Sequence, residues 1–216
     1  MKISNGLSED GVIVGNAYDK YGSSNPVVQH IMRGFDSALS GLVRRAAPSS
    51  IHEIGCGEGY WVLRWLKEGL VTSGSDFSGK VVDIARENAV AQGVSPDVFA
   101  CQNIYDIQPD GVGADLVVCC EVLEHLVDPE RALCILESLR ARHVILSVPR
   151  EPLWSTMNIV RGKYISALGN TPGHIQRWSQ RAFLRLVGCH FDIVEVRAPI
   201  PWTMVLCAPR FGASHR

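Results

Sequence analysis

The sequence contains no long apolar run, no paired-cysteine motif and no hydrophobic leader. A stretch of about 18 apolar residues is missing, so we expect no transmembrane helix. The opening segment, MKISNGLSEDGVIVGNAYDKYG, lacks the apolar centre of a signal peptide, and we therefore expect a cytoplasmic protein. None of the seven cysteines forms a C-x-x-C pair, which argues against a zinc ribbon. We expect these thiols to be reduced and mostly buried.

Composition and length favour one globular domain. The chain has 216 residues, of which 46% are hydrophobic and 20% are charged. Charge is distributed unevenly: residues 1–130 carry 18 acids against 9 Lys or Arg, and residues 131–216 carry 4 acids against 12. The basic half either faces an anionic partner or neutralises the acidic half inside one domain. Monomer and homodimer both remain open.

Strands and helices alternate along most of the chain. The runs VVCC and VILSV are apolar without alternation, as expected of strands covered on both faces. The pattern predicts a doubly wound, Rossmann-like α/β fold with a seven-stranded, mainly parallel sheet. The predicted strands are 51–54, 70–75, 98–102, 115–120, 143–148, 190–197 and 202–208. The predicted helices are 26–47, 58–68, 78–92, 129–140 and 179–188.

Four segments follow from this reading of a single domain: an N-terminal arm and helix (1–48), a core (49–148), an insert (149–178) and a C-terminal helix with two strands (179–216). Asn25 and Pro26 predict the start of the first helix, on which we expect His30 to pack. The insert contains three prolines and three glycines, so we expect it to be an irregular lid or binding loop. It begins at the carboxyl end of a strand, where open α/β sheets bind ligands.

The stretch 51-IHEIGCGEGYW-61 places three glycines at a strand-to-helix corner. Glycine accepts positive φ and leaves room for a ligand against the backbone. The order is G-x-G-x-G with Glu53 in front, which fits a dinucleotide-binding G-x-G-x-x-G loop less well. A second acid, Asp76, ends the next strand about twenty residues on, where a carboxylate accepts ribose hydroxyls.

These motifs, together with ADLVVCCEVLEHLVDP after them, resemble the class I S-adenosylmethionine-dependent methyltransferases. The likeness covers residues 51–148, and GNTPGHIQRWSQRAFLRLV resembles the corresponding region of ubiquinone-biosynthesis-type and related small-molecule enzymes. The resemblance implies S-adenosyl-L-methionine as cofactor, with S-adenosyl-L-homocysteine as product. It implies that the cofactor contacts Glu53, Gly55, Cys56, Gly57, Gly59, Asp76, Phe77, Asn103, Ile104, Asp106, Cys120 and Glu121, with Tyr18 and Tyr21 of the arm closing over its methionyl end.

Two histidines are the candidate catalytic bases. His125 follows the fourth strand of the core, and His174 lies in the insert. Imidazole suits proton transfer near neutral pH, although either ring could instead pack or bond to backbone. By resemblance to small-RNA 2′-O-methyltransferases, Glu121, Glu124, His125 and His174 form a possible divalent-metal set, which we consider the less favoured interpretation.

The insert also provides candidate substrate-binding residues. Aromatic and basic side chains lie together there, which suits an anionic or lipophilic acceptor: Arg150, Trp154, Arg161, Tyr164 and Trp178.

We favour O-methylation of a small molecule. N-methylation of an amine stays close behind, because no residue separates the two acceptors. RNA 2′-O-methylation with a metal is a further alternative, which the pI near 6.6 disfavours. A non-catalytic cofactor binder and an NAD-dependent dehydrogenase are the remaining ones.

Overall fold

A computed structural model of the chain describes residues 1–9, 12–16 and 19–210. Seven strands form one mixed sheet, and a two-stranded antiparallel sheet lies in the N-terminal arm. The strands of this small sheet are β1 (Ser8–Glu9) and β2 (Val12–Ile13). The sheet strands are β3 (Ser50–Ile54), β4 (Val71–Asp76), β5 (Phe99–Cys101), β6 (Leu116–Cys120), β7 (His143–Pro149), β8 (Phe191–Arg197) and β9 (Trp202–Pro209).

Six α-helices accompany the strands in the described part of the chain: α1 (Pro26–Ala46), α2 (Tyr60–Lys67), α3 (Gly79–Val90), α4 (Pro129–Ser138), α5 (Leu153–Val160) and α6 (Gln180–His190). Asn25 caps α1 by accepting hydrogen bonds from the N–H groups of Val27 and Val28, as the Asn-Pro pair predicts. His30 is exposed on α1 rather than packed, so that expectation is wrong: the inward stripe of the helix is filled by aliphatic and aromatic residues such as Phe35 and Leu39.

The strand order is β5-β4-β3-β6-β7-β9-β8. All pairs are parallel except those of β9, which runs antiparallel to β7 and to β8. The predicted α/β class and seven-stranded, mainly parallel sheet are confirmed. The order reverses between β3 and β6, and this switch point is where open α/β sheets form a ligand crevice.

Hydrophobic clusters cover both faces of the sheet. Val117 and Cys119 of β6 belong to a cluster that includes α4 and α6, whereas the alternate residues Leu116 and Val118 pack with α1 and α2. Since successive strand residues point to opposite faces, helices lie on both sides. Because both faces are covered, the central strands appear in the sequence as apolar runs without alternation.

Two expectations need correction. The insert is not irregular throughout, because α5 and a 3-10 turn at Ile165–Ala167 lie inside it. The proline and glycine content of the insert did not predict α5, because none of those residues lies within the eight positions of the helix. Of the seven thiols, those of Cys101, Cys134 and Cys189 are exposed, so burial holds only for part of the set.

The arm is attached to the core at its beginning. The backbone N–H of Lys2 donates to Asn88 Oδ1 at 2.8 Å, and Asn88 Nδ2 donates to the Lys2 carbonyl at 3.0 Å. Among the described residues, no helix is long and apolar enough to cross a bilayer.

Candidate functional site

The glycine corner connects β3 to α2 beside the switch point. A Cβ on Gly55 would lie 2.3 Å from Val122 Cγ2, and one on Gly59 would lie 2.5 Å from Phe99 Cζ. These two glycines therefore permit close packing. Gly57, with φ of +53°, has no atom within 4 Å of its Cβ position, so the chain leaves open space in front of it.

Asp76 is held in a fixed position at the end of β4. Its Oδ2 accepts from the Gly57 N–H at 3.0 Å, and its Oδ1 accepts from the Ser78 N–H at 3.0 Å. Burial raises the pKa of this carboxyl, and the two backbone hydrogen bonds oppose that rise. The Asp76 carboxylate thus links the glycine corner after β3 to the end of β4.

Glu53 lies one strand over, and its side chain is buried. Its Oε2 has no hydrogen-bond partner among the described residues. Burial, followed by the charge of Asp76, raises the pKa of Glu53 well above its usual value. Buried polar atoms without partners are rare in folded proteins, so this oxygen indicates a place for a donor that the chain itself does not supply.

Tyr21 of the arm covers this part of the corner. Its ring stacks on Tyr60 with centroids 3.7 Å apart, and its hydroxyl accepts from Trp61 Nε1 at 3.0 Å. Burial, followed by the charge of Glu53, raises the pKa of Tyr21 well above its usual value. Tyr18, its predicted companion, lies outside the described residues.

The remaining predicted cofactor residues lie along the same edge of the sheet. Phe77 follows Asp76 and is 53% exposed. Asn103 caps the 3-10 turn Ile104–Asp106, in which the side chain of Ile104 is buried. Cys56 is buried and Cys120 half-buried. The loops after β4 and β5 therefore meet, as their parallel pairing requires.

Glu121 begins the loop after β6 in a left-handed backbone conformation, with φ of +59°. Its Oε1 accepts from Ser147 Oγ at 2.9 Å, and its Oε2 accepts from Trp202 Nε1 at 2.6 Å. Burial raises the pKa of Glu121 to about 7. Both carboxylate oxygens are thus engaged by the ends of β7 and β9.

Glu124, His125 and His174 form a cluster in which the potential ligand atoms lie within 4.8 Å of one another. Glu121 is not part of this cluster, so the four-residue metal set is reduced to three. Both carboxylate oxygens of Glu124 are buried and have no partner in the described part of the chain. Burial, followed by the charge of Glu121, raises the pKa of Glu124 well above its usual value.

The insert docks onto the loop after β6 and thereby brings the histidines together. The N–H groups of Ile175 and Gln176 donate to the Glu124 carbonyl at 2.8 and 2.9 Å. His125 Nδ1 lies 2.9 Å from the Gly173 carbonyl. Because a carbonyl only accepts, Nδ1 carries the proton and the neutral ring keeps a lone pair on Nε2.

The two imidazoles are poised to be neutral near pH 7. Their rings meet edge to face at 4.9 Å. Partial desolvation by its neighbours lowers the pKa of His125, which stays exposed to solvent, and burial followed by the charge of His125 lowers the pKa of His174 to about 4. Neutral imidazoles can accept a proton or bind a metal.

Only one of the predicted substrate residues joins the histidines. Trp154 stacks on His174 at 5.8 Å and also contacts Trp202 at 5.9 Å. Arg161 instead hydrogen-bonds to Asn158, Tyr164 is 39% exposed, and Trp178 packs on Phe183 at 6.1 Å. Arg150 lines a separate open groove of about 600 Å³, which is bordered by Glu151, Ser179, Gln180, Arg181, Leu184 and Arg185.

Several residues of the site escaped the sequence reasoning. Ser147 and Trp202, which hold Glu121, lie at strand ends but in no recognisable motif. Glu58 lies inside the quoted glycine motif, and its carboxylate is bound by the arm. Lys20 places its ammonium 5.2 Å from the Tyr21 ring.

Known proteins share the part of the chain that contains the glycine corner, Asp76 and the loop after β6. A family model described as "Methyltransferase domain" matches residues 52–140. The chain is 32% identical over 81 residues to a ubiquinone biosynthesis O-methyltransferase of Coxiella burnetii, covering 38% of this chain and 34% of that one. It is 26% identical to the protein of the same name in Xanthomonas axonopodis pv. citri, covering 72% of this chain and 69% of that one.

The fold has a similar counterpart among solved structures. Magnesium protoporphyrin IX methyltransferase from Synechocystis PCC 6803, crystallised with bound SAH, superposes with a TM-score of 0.65 at 21% identity, covering 88% of this chain and 90% of that one. The match to the Coxiella relative spans only about a third of that protein's length (34%). The family-model match, residues 52–140, contains the corner, Asp76 and the loop after β6.

Proposed function

We propose that the chain, whose residues 52–140 match the methyltransferase-domain family model, is a class I S-adenosylmethionine-dependent methyltransferase that transfers a methyl group from S-adenosylmethionine to an oxygen of a small-molecule acceptor. The observation that carries the cofactor part of this proposal is the placement of Asp76. Its carboxylate is fixed by two backbone N–H groups beside the open face of Gly57.

The cofactor fits the unsatisfied groups of the corner. Asp76 retains lone pairs that can accept both ribose hydroxyls. The unpartnered Oε2 of Glu53 offers an acceptor for the ammonium of the methionyl end. Tyr21 lies over the same end and shields it from water.

When bound, the sulfonium supplies an activated methyl group, whose C–S bond breaks as the bond to the acceptor oxygen forms. The chain contributes position, exclusion of water and removal of the acceptor proton. We assign proton removal to His125, whose Nε2 carries the lone pair once Nδ1 donates to Gly173. His174 and Trp154 bound the same space and orient the acceptor.

A small acceptor suits the enclosure formed by the arm and the insert. Trp154 and Trp202 provide an apolar wall, which favours a lipophilic or aromatic acceptor. An oxygen acceptor is favoured over an amine because a neutral base lies at hand to take the hydroxyl proton. Two relatives are named ubiquinone biosynthesis O-methyltransferases, which supports the same acceptor class.

Calorimetry tests the cofactor assignment directly. We expect S-adenosylhomocysteine to bind the purified chain with a dissociation constant in the micromolar range, about −8 kcal/mol, and NAD not to bind. Binding of NAD with no uptake of S-adenosylhomocysteine would overturn the proposal. Radiolabelled methyl transfer to a panel of phenolic, hydroxyl and amine acceptors then separates an enzyme from a cofactor binder.

A second candidate is metal-assisted methylation at the Glu124, His125 and His174 cluster. The buried, unpartnered carboxylate of Glu124 beside two neutral imidazoles fits a divalent ion. Such an ion would polarise an acceptor hydroxyl and lower its pKa. His125 would then serve as a ligand rather than as a base.

Metal titration distinguishes the two candidates without any substrate. If the cluster is a metal site, wild type binds Mn²⁺, Co²⁺ or Zn²⁺ in calorimetry, and Glu124→Gln weakens that binding by at least about tenfold. The matched control is Glu130→Gln, an exposed carboxylate six positions along the same segment. Absence of binding by all three ions in wild type would leave His125 as the base.

A further inference from the structure

Glu58 is a buried carboxylate that is bound by two residues of the arm. It is 2% exposed. It accepts from the Ser4 N–H at 3.0 Å, from Ser4 Oγ at 2.8 Å and from the Asn16 N–H at 2.8 Å, and it also accepts from Asn16 Nδ2. A hydrogen bond from its own backbone N–H also favours the charged form. Burial alone would raise the pKa of Glu58, but these hydrogen bonds outweigh it and the pKa is lowered, so the group is charged at neutral pH.

The arm is shaped to make this contact. Gly15 has φ of +66°, and a Cβ there would lie 2.6 Å from both Glu58 Oε1 and Ser4 Oγ. Any side chain at this position would therefore displace the carboxylate or the serine. The closeness of the backbone to Glu58 is a built feature of the arm, not a chance surface contact.

Glu58 is also adjacent to the cofactor loop. It follows Gly57, whose N–H donates to Asp76. Its own carbonyl accepts from Asn88 Nδ2 at 3.0 Å, and the same Asn88 binds Lys2 of the arm. The attachment of the arm and the shape of the glycine corner thus share neighbouring residues.

Two other parts of the arm contact residues on either side of the nucleoside cleft, which is the space between Asp76 and Glu53. Glu9 accepts a hydrogen bond from Ser78 Oγ, and the Ser78 N–H donates to Asp76. Tyr21 stacks on Tyr60, two residues after Glu58. The described parts of the arm therefore contact both sides of the space between Asp76 and Glu53.

We propose that Glu58 is a positioning residue for cofactor exchange: its carboxylate anchors the arm, and the anchored arm closes the nucleoside cleft. This inference rests on the proposed function, since it takes the cleft to hold S-adenosylmethionine or its product. The closed arm excludes water, and release of the nucleoside requires the four hydrogen bonds to Glu58 to open. Lids of this type set the rate of product release in many enzymes.

The test compares variants on both sides of the contact. Glu58→Ala removes the acceptor, and Gly15→Ala places a methyl group against it. We expect both to accelerate dissociation of S-adenosylhomocysteine by about tenfold or more, as loss of hydrogen bonds to a charged group implies. Stopped-flow tryptophan fluorescence measures the rate, because Trp61 bonds Tyr21. Turnover at saturating S-adenosylmethionine should not fall as much as the release rate rises. A damaged active site would lower turnover strongly.

Gly6→Ala is the matched control. Gly6 has φ of +76° but no atom within 4 Å of its Cβ position, so alanine there carries the same backbone strain without the clash. This variant should release S-adenosylhomocysteine at the wild-type rate. Trypsin cleavage after Lys20, followed by mass spectrometry, gives a readout independent of catalysis. We expect S-adenosylhomocysteine to protect this bond in wild type, and Glu58→Ala to be cut faster.

The outcomes separate this inference from the proposed function. If wild type binds S-adenosylhomocysteine, and Glu58→Ala and Gly15→Ala release it at the wild-type rate, the role of Glu58 is overturned while the cofactor assignment stands. A lower melting temperature without a change in release rate would make Glu58 a purely structural residue. If wild type binds no nucleoside, the proposed function falls, and equal trypsin cleavage of wild type and Glu58→Ala would exclude the anchor as well.

Discussion

Asp76→Ala should bind S-adenosylhomocysteine about a hundredfold more weakly than wild type, as measured by calorimetry. If Asp76 binds the ribose as proposed, alanine removes two charge-assisted hydrogen bonds, and each such bond contributes roughly a tenfold factor or more. The substitution also removes the links to the Gly57 and Ser78 N–H groups, which frees the corner to move. Asp76→Asn keeps one acceptor oxygen and replaces the other with an NH2 donor, so it preserves one of the two backbone bonds and its loss of affinity should be smaller.

The control for this prediction is Asp83→Ala. Asp83 is an exposed residue of α3 whose only described ion pair is with Arg86, at 3.3 Å. Its replacement removes the same charge from the same region and should leave the dissociation constant unchanged. Equal binding by wild type and Asp76→Ala would show that the nucleoside does not lie at the end of β4.

His125→Ala should lower the turnover number by about 10²–10⁴-fold, the usual contribution of a general base, with little change in affinity for S-adenosylhomocysteine. The reason is that the Gly173 carbonyl fixes the proton on Nδ1, which leaves the lone pair of Nε2 to take the acceptor proton in the proposed mechanism. Methyl transfer to the best acceptor of the panel, measured at saturating cofactor, provides the test.

His30→Ala serves as the matched control, because His30 is an exposed imidazole on α1. It should turn over at the wild-type rate. Wild-type turnover by His125→Ala would remove the base role. A large loss of turnover in His174→Ala alone would instead identify His174, in the insert, as the base.

Local patterns along the chain predicted most of the core. Each strand from β3 to β9 coincides with a predicted strand to within about two residues. The covered strands β6 and β7 leave continuous apolar runs, whereas β8, at the sheet edge, alternates exposed residues with buried or half-buried ones. The corner was visible for a similar reason. Its glycines are required by contacts within one strand-loop-helix unit and with its neighbours, so they leave a short, contiguous signature.

Helix α5 and the exposed thiols show where such patterns fail. Proline and glycine in the insert predicted irregular chain, yet α5 forms between them. Burial of a cysteine depends on which element packs over it, and this is decided far along the chain. Exposure of Cys101 beside the loop after β4 is a case of this kind.

The metal set illustrates the same limit within the site. In the sequence, Glu121 and Glu124 belong to one motif, and both are members of the candidate ligand set. In the fold, the left-handed conformation of Glu121 and the 3-10 turn that follows separate them. Glu121 turns to Ser147 and Trp202, whereas Glu124 remains unpartnered beside the histidines.

By itself, the sequence determined the α/β sheet, the glycine corner and the acid at the end of the second core strand, since each depends on residues close together in the chain. Only the tertiary structure decided that His125 meets His174, that the arm closes on Glu58, and that Glu121 and Glu124 part. These contacts join residues from separate segments, and their geometry follows from how the insert and the arm pack on the sheet edge. No local pattern encodes that packing, because its free energy comes from the assembled surfaces.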